Sequence, residues 1–413
     1  MKTSDFETTL KEAYDIPVPQ TLQQPRYKVI TSFYTPQQGK HYGANLPVRH
    51  IPSPSAPQQY GSSLMMTTRR TGASGYIGGD VLHLVAKTHL HLVAKTHPDY
   101  IIKALVRDIA KGQQIAKAFS NVQLVEGDLD ATETIRREAS EADVVLHLAA
   151  TGHLNSVKAI HSAFLNSVRQ KPAHWIQISG ASALAAAELA DKSRAFGAPS
   201  DLVFDDLDDI AGITSMIRGH PSRAVDNYVL DVAKSTSSVN TALVFPPIIY
   251  GQGRGPVNQR SIQIPQLARA TLERGQGVRV GAGRSRWGDV HVHDVSALIL
   301  RLLEKAVEGP ADERLWNENG IYLTGVGELS FGEISEKVAT AAVKQGLISD
   351  PTVEQRDAEA FDALIPHGTV LYGTNARSHA RRAKEFLGWQ PQGDSLEQEI
   401  PRAVEAEGQK MKA

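Results

Sequence analysis

Residues Thr71 to Gly79 read TGASGYIGG, with glycines at 72, 75 and 78, and an amphipathic stretch bearing Ile77, Leu82 and Val85 begins inside the run. Glycines so spaced let backbone N–H groups approach a pyrophosphate, and the helix that follows turns its positive end toward the same anion. Gly72, Ala73, Ser74, Gly75, Tyr76, Ile77 and Gly78 are therefore the expected cradle of a dinucleotide. A second site of chemistry is the end of Ala104-Leu105-Val106-Arg107-Asp108. In dinucleotide folds an acidic side chain at that tip accepts from the ribose 2′-OH of NAD. Arg107 at the tip would instead pair with a 2′-phosphate, assisted by Lys111, while Asp108 could accept from the ribose if the strand ran one residue further. NADP is favoured over NAD.

These residues need a sheet to position them. Short β-rich runs alternate with helical stretches from about residue 64. The strand candidates are 101–106, 121–125, 143–148, 174–178 and 240–245, with helical stretches such as 131–142 and 221–234 between them. Several of the runs are continuously apolar, as strands buried on both faces of a parallel sheet are. The alternation predicts right-handed βαβ units and an α/β fold of the Rossmann type, a doubly wound parallel sheet with a smaller C-terminal lobe. Residues 1–68 look different. Eight of the 21 prolines fall in the first 60 residues, beside repeated Gln pairs. This segment reads as an irregular extension without a catalytic role, in which only Tyr27–Ile30 has strand character. The heptapeptide His83–His89 recurs unchanged at His91–His97, which reads as a tandem duplication lengthening or looping out one helix.

Composition narrows the function classes. The chain of 413 residues has 44 Lys+Arg against 45 Asp+Glu, so it lacks the basic excess of a nucleic-acid binder. It has no cysteine, which excludes disulfides, thiolate metal sites and Cys nucleophiles. No window is long and apolar enough for a bilayer span, and the first twenty residues have no apolar signal core, so the cytosol is the expected compartment.

TGASGYIGG resembles the cofactor loop of the short-chain dehydrogenase/reductase superfamily, in its extended and atypical branches (epimerase/dehydratase-like and NmrA-like proteins). The resemblance continues at Gly127-Asp128-Leu129, at His147-Leu148-Ala149-Ala150 and at Pro246-Pro247-Ile248-Ile249-Tyr250-Gly251. It extends to Val290–Val295 and Leu387–Pro391, so that it covers about residues 70 to 400. It implies that Asp128 and Leu129 lie near the adenine, that Ala149 and Ala150 meet the cofactor after the fourth strand, and that Pro247 lies beside the nicotinamide. The family has an apolar strand directly before its glycine loop; here Leu64–Arg70 ends in two arginines. Either that strand is short, or the residues upstream of Thr71 are not the family's start.

Catalytic members of this superfamily use Tyr-x-x-x-Lys on a helix, where the ammonium lowers the phenol pKa. None of the 11 tyrosines has Lys four residues on; Tyr228 and Lys234 are six apart and face different ways. Aligning the helix puts the tyrosine place near Gly219 or His220 and the lysine place near Arg223. His220 could shuttle a proton or serve the loop before Pro221, whereas Arg223 stays protonated and can only hold a ribose or substrate. Ser179 or Ser182 stands where the family keeps a hydroxyl that orients the substrate oxygen, and either could instead cap a helix. The candidate catalytic residues are thus Ser179, Ser182, His220 and Arg223. His291 and His293 alternate along an apparent strand with Asp294 following, but the run matches a family marker that binds no metal, so no metal is expected. Asp201, Asp205, Asp206, Asp208 and Asp209 read as a solvated loop and helix start, and Arg254 or Arg260 as an anion contact or a solvated loop.

The expected organisation is the extension 1–68, a Rossmann domain over 69–250 with 289–307 returning to it, and a substrate lobe from 251–288 and 308–413. The leading function is an NAD(P)-dependent oxidoreductase of an aldehyde, ketone or alcohol. A non-catalytic NmrA-like regulator is the alternative and a nucleotide-sugar epimerase or dehydratase the third. The expected partner is a small carbonyl or alcohol, with no nucleic acid or membrane, and a homodimer is left open.

Overall fold

The computed structural model describes residues 28–31, as backbone alone, and 73–88, 101–308 and 311–412. Gly72, Leu64–Arg70 and the second copy of the heptapeptide repeat lie outside the described residues.

A seven-stranded parallel sheet forms the centre. Its first five strands in chain order are β1 (Lys28–Thr31), β2 (Ile101–Val106), β3 (Val122–Glu126), β4 (Val144–His147) and β5 (Ala173–Ile178). The sheet is completed by Val239–Phe245 and Ile321–Leu323. In space the order is Ile321–Leu323, Val239–Phe245, β5, β4, β1, β2, β3. Every residue of β4, β5 and Val239–Phe245 is buried, which explains their mostly apolar runs. Two of the polar residues that interrupt them bond to each other: Asn240 Nδ2 lies 3.2 Å from His174 Nε2, and burial pushes the His174 imidazole down to about 4, leaving it neutral.

One expectation needs correcting. The central strand comes from within the Pro- and Gln-rich extension, not from the run before the glycine loop. β1 pairs in parallel with β2 (Lys28↔Ile101) and with β4 (Val29↔Val144). It supplies the family's first strand, and the chain from 32 to 72 separates it from its own glycine loop. The physical reason lies in composition: Lys28-Val29-Ile30-Thr31 is β-branched, whereas Arg69 and Arg70 would need to be desolvated at the centre of a sheet.

The strand order reverses between β1 and β4, and ligands of open α/β sheets bind outside the strand ends at such a point. The glycine-loop helix Tyr76–Thr88 begins there. It packs against the helix Val292–Val307, which follows the strand Arg286–His291. Outside the main sheet, Arg286–His291 joins Ile248–Tyr250 and Gly327–Ser330 in a three-stranded sheet. Two further pairs are Gly277–Val280 with Val353–Arg356 and Val203–Asp205 with Arg377–His379. Two segments that the sequence marked a hundred residues apart clasp one another. Trp389 Nε1 donates to the Asp294 carbonyl at 2.9 Å, and the amides of Gln392 and Gly393 donate to the Asp294 carboxylate at 2.8 and 3.0 Å. Among the described residues, no helix is long and apolar enough to cross a membrane.

Candidate functional site

The glycine loop turns into its helix at Tyr76, and the first intrahelical bond runs from the Gly79 amide to the Gly75 carbonyl at 2.9 Å. The amides of Tyr76, Ile77 and Gly78 precede that bond and have no acceptor inside the helix. No acidic residue occupies the first turn, so nothing there repels an anion. Gly79 packs on Gly255: a Cβ added at Gly255 would stand 2.5 Å from Gly79 Cα. Behind the loop, Tyr76 Oη donates to the Gly251 carbonyl at 2.6 Å. Gly251 turns with φ +88°, and a side chain there would collide with His291.

The strand ends around this point fit a dinucleotide. Ala73, Ala149 and Ala150 are buried and small, leaving room over the sheet. Asp128 accepts from the Asp130 amide at 3.0 Å in the turn after β3, with Leu129 half-buried beside it. Asp108, the alternative ribose acceptor, caps the helix Ile109–Ala118 by accepting from the Lys111 amide at 3.1 Å, with the Lys111 ammonium 3.7 Å away. Arg107 is exposed at the tip of β2 and makes no hydrogen bond among the described residues.

At the end of β5 lies a compact polar cluster of Ser179, Arg223 and Asp226. Ser179 is buried, and its hydroxyl accepts from Arg223 Nη2 at 2.9 Å. Arg223 stands at the N-cap position of the helix Ala224–Ser235 and holds Asp226, through Nε at 2.7 Å and Nη2 at 2.6 Å. The residue four after Arg223 is Asn227, whose amide donates to the carbonyls of Ile217, His220 and Arg223 and so pins the helix start. Arg223, expected near the place of the family's lysine, thus bonds to Ser179 directly. His220 is not brought to Ser179: its Nδ1 lies 2.7 Å from the Met216 carbonyl, ending the preceding helix. Ser182 sits half-buried in the single turn Ala181–Ala183 and makes no hydrogen bond among the described residues. Pro247 is buried and packs near Gly288, while the Pro246 carbonyl receives the Ala181 amide at 3.0 Å. Asp226 escaped the sequence reading, because an acidic residue in a first helical turn ordinarily faces solvent and the dipole.

Other candidates resolve into structural roles. His291 ends its strand and caps the next helix, accepting from the His293 amide at 3.1 Å. His293 lies on that helix with Nε2 3.1 Å from the Gln252 carbonyl, so the two do not share a strand face. Arg254 is bound to the buried Asp80 by its amide, Nε and Nη2 at 2.8, 2.9 and 2.7 Å. Arg260 is bound to Glu407 at 2.7 and 3.0 Å. Both arginines are thereby committed to protein carboxylates. A cavity of about 810 Å³ lies beyond Gly251, lined by Arg260, Arg402 and Lys410 among others. Each of these cations already pairs with Glu407, Asp394 or Glu399. The acidic run is not simply solvated. Asp209 caps the next helix and Asp205 and Asp208 pair with Arg381, but Asp206 is wholly buried. Asp206 accepts from the amides of Leu323, Arg381 and Arg382 at 2.9, 2.7 and 2.9 Å. Tyr228 is engaged elsewhere, 2.8 Å from His161 Nδ1.

With this arrangement in hand, similar proteins can be set beside it. Solved structures that share the fold include the dTDP-glucose 4,6-dehydratase DesIV of Streptomyces venezuelae, solved with NAD bound. It is 16% identical with a TM-score of 0.55, covering 83% of this chain and 96% of that one. The UDP-glucose 4-epimerase of Thermotoga maritima is 15% identical with a TM-score of 0.53, covering 84% and 99%. A curated relative, "Oxidase ucsJ" of Acremonium sp., is 33% identical over 350 residues, 83% of this chain and 97% of that protein. The chain belongs to the same family as that oxidase, and its fold is the one these dehydratases and epimerases share. No family profile matches it. Within this chain the glycine-loop helix is followed by Ser179 at the end of β5, bonded to Arg223.

Proposed function

We propose that this protein is an NADP(H)-dependent oxidoreductase that interconverts an alcohol and an aldehyde or ketone. The observation that carries the proposal is the Ser179–Arg223–Asp226 cluster, set at the same edge of the sheet as the open amides of the glycine-loop helix. The amides from Ala73 to Gly78 would hold the pyrophosphate, joined by Gly72 upstream and by the Ser74 hydroxyl. Ala149 and Ala150 would lie under the dinucleotide, Asp128 and Leu129 beside its adenine, and Pro247 beside its nicotinamide. Bound there, the nicotinamide supplies the hydride donor or acceptor. Arg107 favours the 2′-phosphorylated cofactor, since Asp108 is already occupied in capping. Ser179 orients the reacting oxygen. Arg223, always protonated, stabilises negative charge growing on that oxygen. The relative named an oxidase supports redox chemistry, and the NAD in the DesIV structure supports the cofactor class.

The test is spectrophotometric. NADPH is mixed with a panel of aldehydes and ketones, and NADP⁺ with the matching alcohols. The expected result is turnover that falls about a hundredfold in Ser179→Ala while NADPH binding is kept. The missing dyad favours the second reading, a dinucleotide-sensing regulator; tight NADPH binding with no turnover on any member of the panel would establish that reading instead.

A further inference from the structure

In the superfamily the tyrosine takes the substrate proton, and among the described residues no tyrosine bonds to Ser179. Arg223 cannot replace it, because guanidinium does not deprotonate near neutral pH. The buried groups around Ser179 offer another holder. Asp226 is wholly buried on the first turn of the helix Ala224–Ser235. Arg223 binds one of its oxygens, Oδ2, through two nitrogens. The other, Oδ1, is buried without a hydrogen-bond partner. Leaving a buried acceptor open is costly, so such a group calls for an explanation. Ser179 Oγ already accepts from Arg223, which leaves the hydroxyl proton free for a second partner.

We propose that Asp226 is the proton store of this site, exchanging its proton with the substrate oxygen through the Ser179 hydroxyl while Arg223 holds both. This rests on the redox reading of the site. In the oxidative direction the substrate alcohol loses its O–H proton to Ser179 Oγ, and the original Ser179 proton passes to the Asp226 carboxylate. The C–H bond breaks with its electron pair, which leaves as hydride to the oxidised nicotinamide dinucleotide. The products are the carbonyl, the reduced dinucleotide and a protonated carboxyl; reduction runs the same path backward. The electrostatics agree in direction. Burial pushes the Asp226 carboxyl upward, and it stays raised against the opposing pull of Arg223 and of the Ser179 hydroxyl. Arg223, at the N-cap position of the same helix, is the charged group that bears on it, and Ser179, just after β5, is the polar one. A raised carboxyl is the better matched to taking and returning a proton near neutral pH.

The test begins without substrate. Infrared difference spectra of the full chain, wild type minus Asp226→Asn, are recorded across acid to neutral pH. The expected result is a protonated-carboxyl band assignable to Asp226 that persists above the ordinary carboxylate pKa of about 4. A carboxyl that ionises at or below that value would overturn the proposal. Asp226→Asn could destabilise the fold by stranding Arg223, so the pair Asp226→Asn with Arg223→Met serves as a second reference lacking both charges. The second arm uses NADPH with 4-nitrobenzaldehyde as the carbonyl probe. Asp226→Asn should lower kcat about a hundredfold with little change in KM, flatten the pH profile and leave NADPH binding intact. An unchanged pH profile in that variant would contradict the relay. Wild-type protein that binds NADPH yet never reduces the probe bears on the redox reading, and the infrared titration then decides the state of Asp226 by itself.

Discussion

Arg107 and Asp108 are adjacent in sequence and do opposite things. The Asp108 carboxylate is spent on the Lys111 amide, whereas the Arg107 guanidinium is exposed and unbonded among the described residues. Arg107→Ala should therefore weaken NADPH binding by about 2 kcal/mol, roughly thirtyfold, and NADH binding hardly at all. Fluorescence titration of both cofactors checks this, and equal losses would remove the basis for NADP preference. The buried Asp80–Arg254 pair invites a stability prediction. Burial alone would raise the Asp80 carboxyl, but the bonds from Arg254 outweigh it and hold the group below its usual value. Removing the cation in Arg254→Met should cost about 3 kcal/mol in denaturant unfolding at neutral pH. A depressed carboxyl lends stability above its unfolded pKa and loses it as pH falls through the folded one, so the gap between wild type and variant should narrow in acid. Ser179 and Arg223 were named from the sequence, as the hydroxyl after the fifth strand and the residue near the place of the family's lysine, and the structure bonds the two together. Asp226 was not, since its pattern is that of a surface carboxylate and only the packing shows that it is buried.

At the scale of elements, the sheet was legible wherever strands are buried on both faces. The runs at 101–106, 121–125, 143–148, 174–178 and 240–245 recur in the structure within a residue or two. β1 was the hard case. Its four residues have strand character, yet they lie among prolines and far from the glycine loop that usually follows them, so sequence distance concealed spatial adjacency. A proline inside a central strand removes a ladder donor and is tolerated essentially only at edges. Ile30→Pro should thus destabilise the protein by about 3 kcal/mol or more. A thermal melt unchanged by Ile30→Pro would contradict the place of β1 at the centre of the sheet. The histidine run shows the converse limit. Alternation suggested one strand, but His291 in fact caps a helix on which His293 already lies, because the strand ends where its side chain receives the His293 amide.

Across the whole molecule, a few buried polar groups tie the peripheral segments to the sheet. Asp206 is the clearest, since it gathers amides from the edge strand Ile321–Leu323 and from the turn Arg381–Arg382. Burial pushes its carboxyl up to about 6 in spite of those three donors. A raised carboxyl gives its greatest relative stability below the unfolded value near 4 and loses it as pH rises toward 6. The stability advantage of wild type over Asp206→Asn should accordingly shrink between pH 4 and 7, by roughly 3 kcal/mol at most, in urea unfolding at a series of pH values. An advantage that grows over that range would contradict the assignment. All of these groups serve one architecture, which leaves the open amides of the glycine-loop helix, Arg107 and the Ser179 cluster along a single edge of the sheet. Isothermal titration of the full chain with NADPH and NADH tests that most directly. The expected result is one site per chain with NADPH the tighter ligand; a well-folded protein that takes up neither dinucleotide would contradict the account.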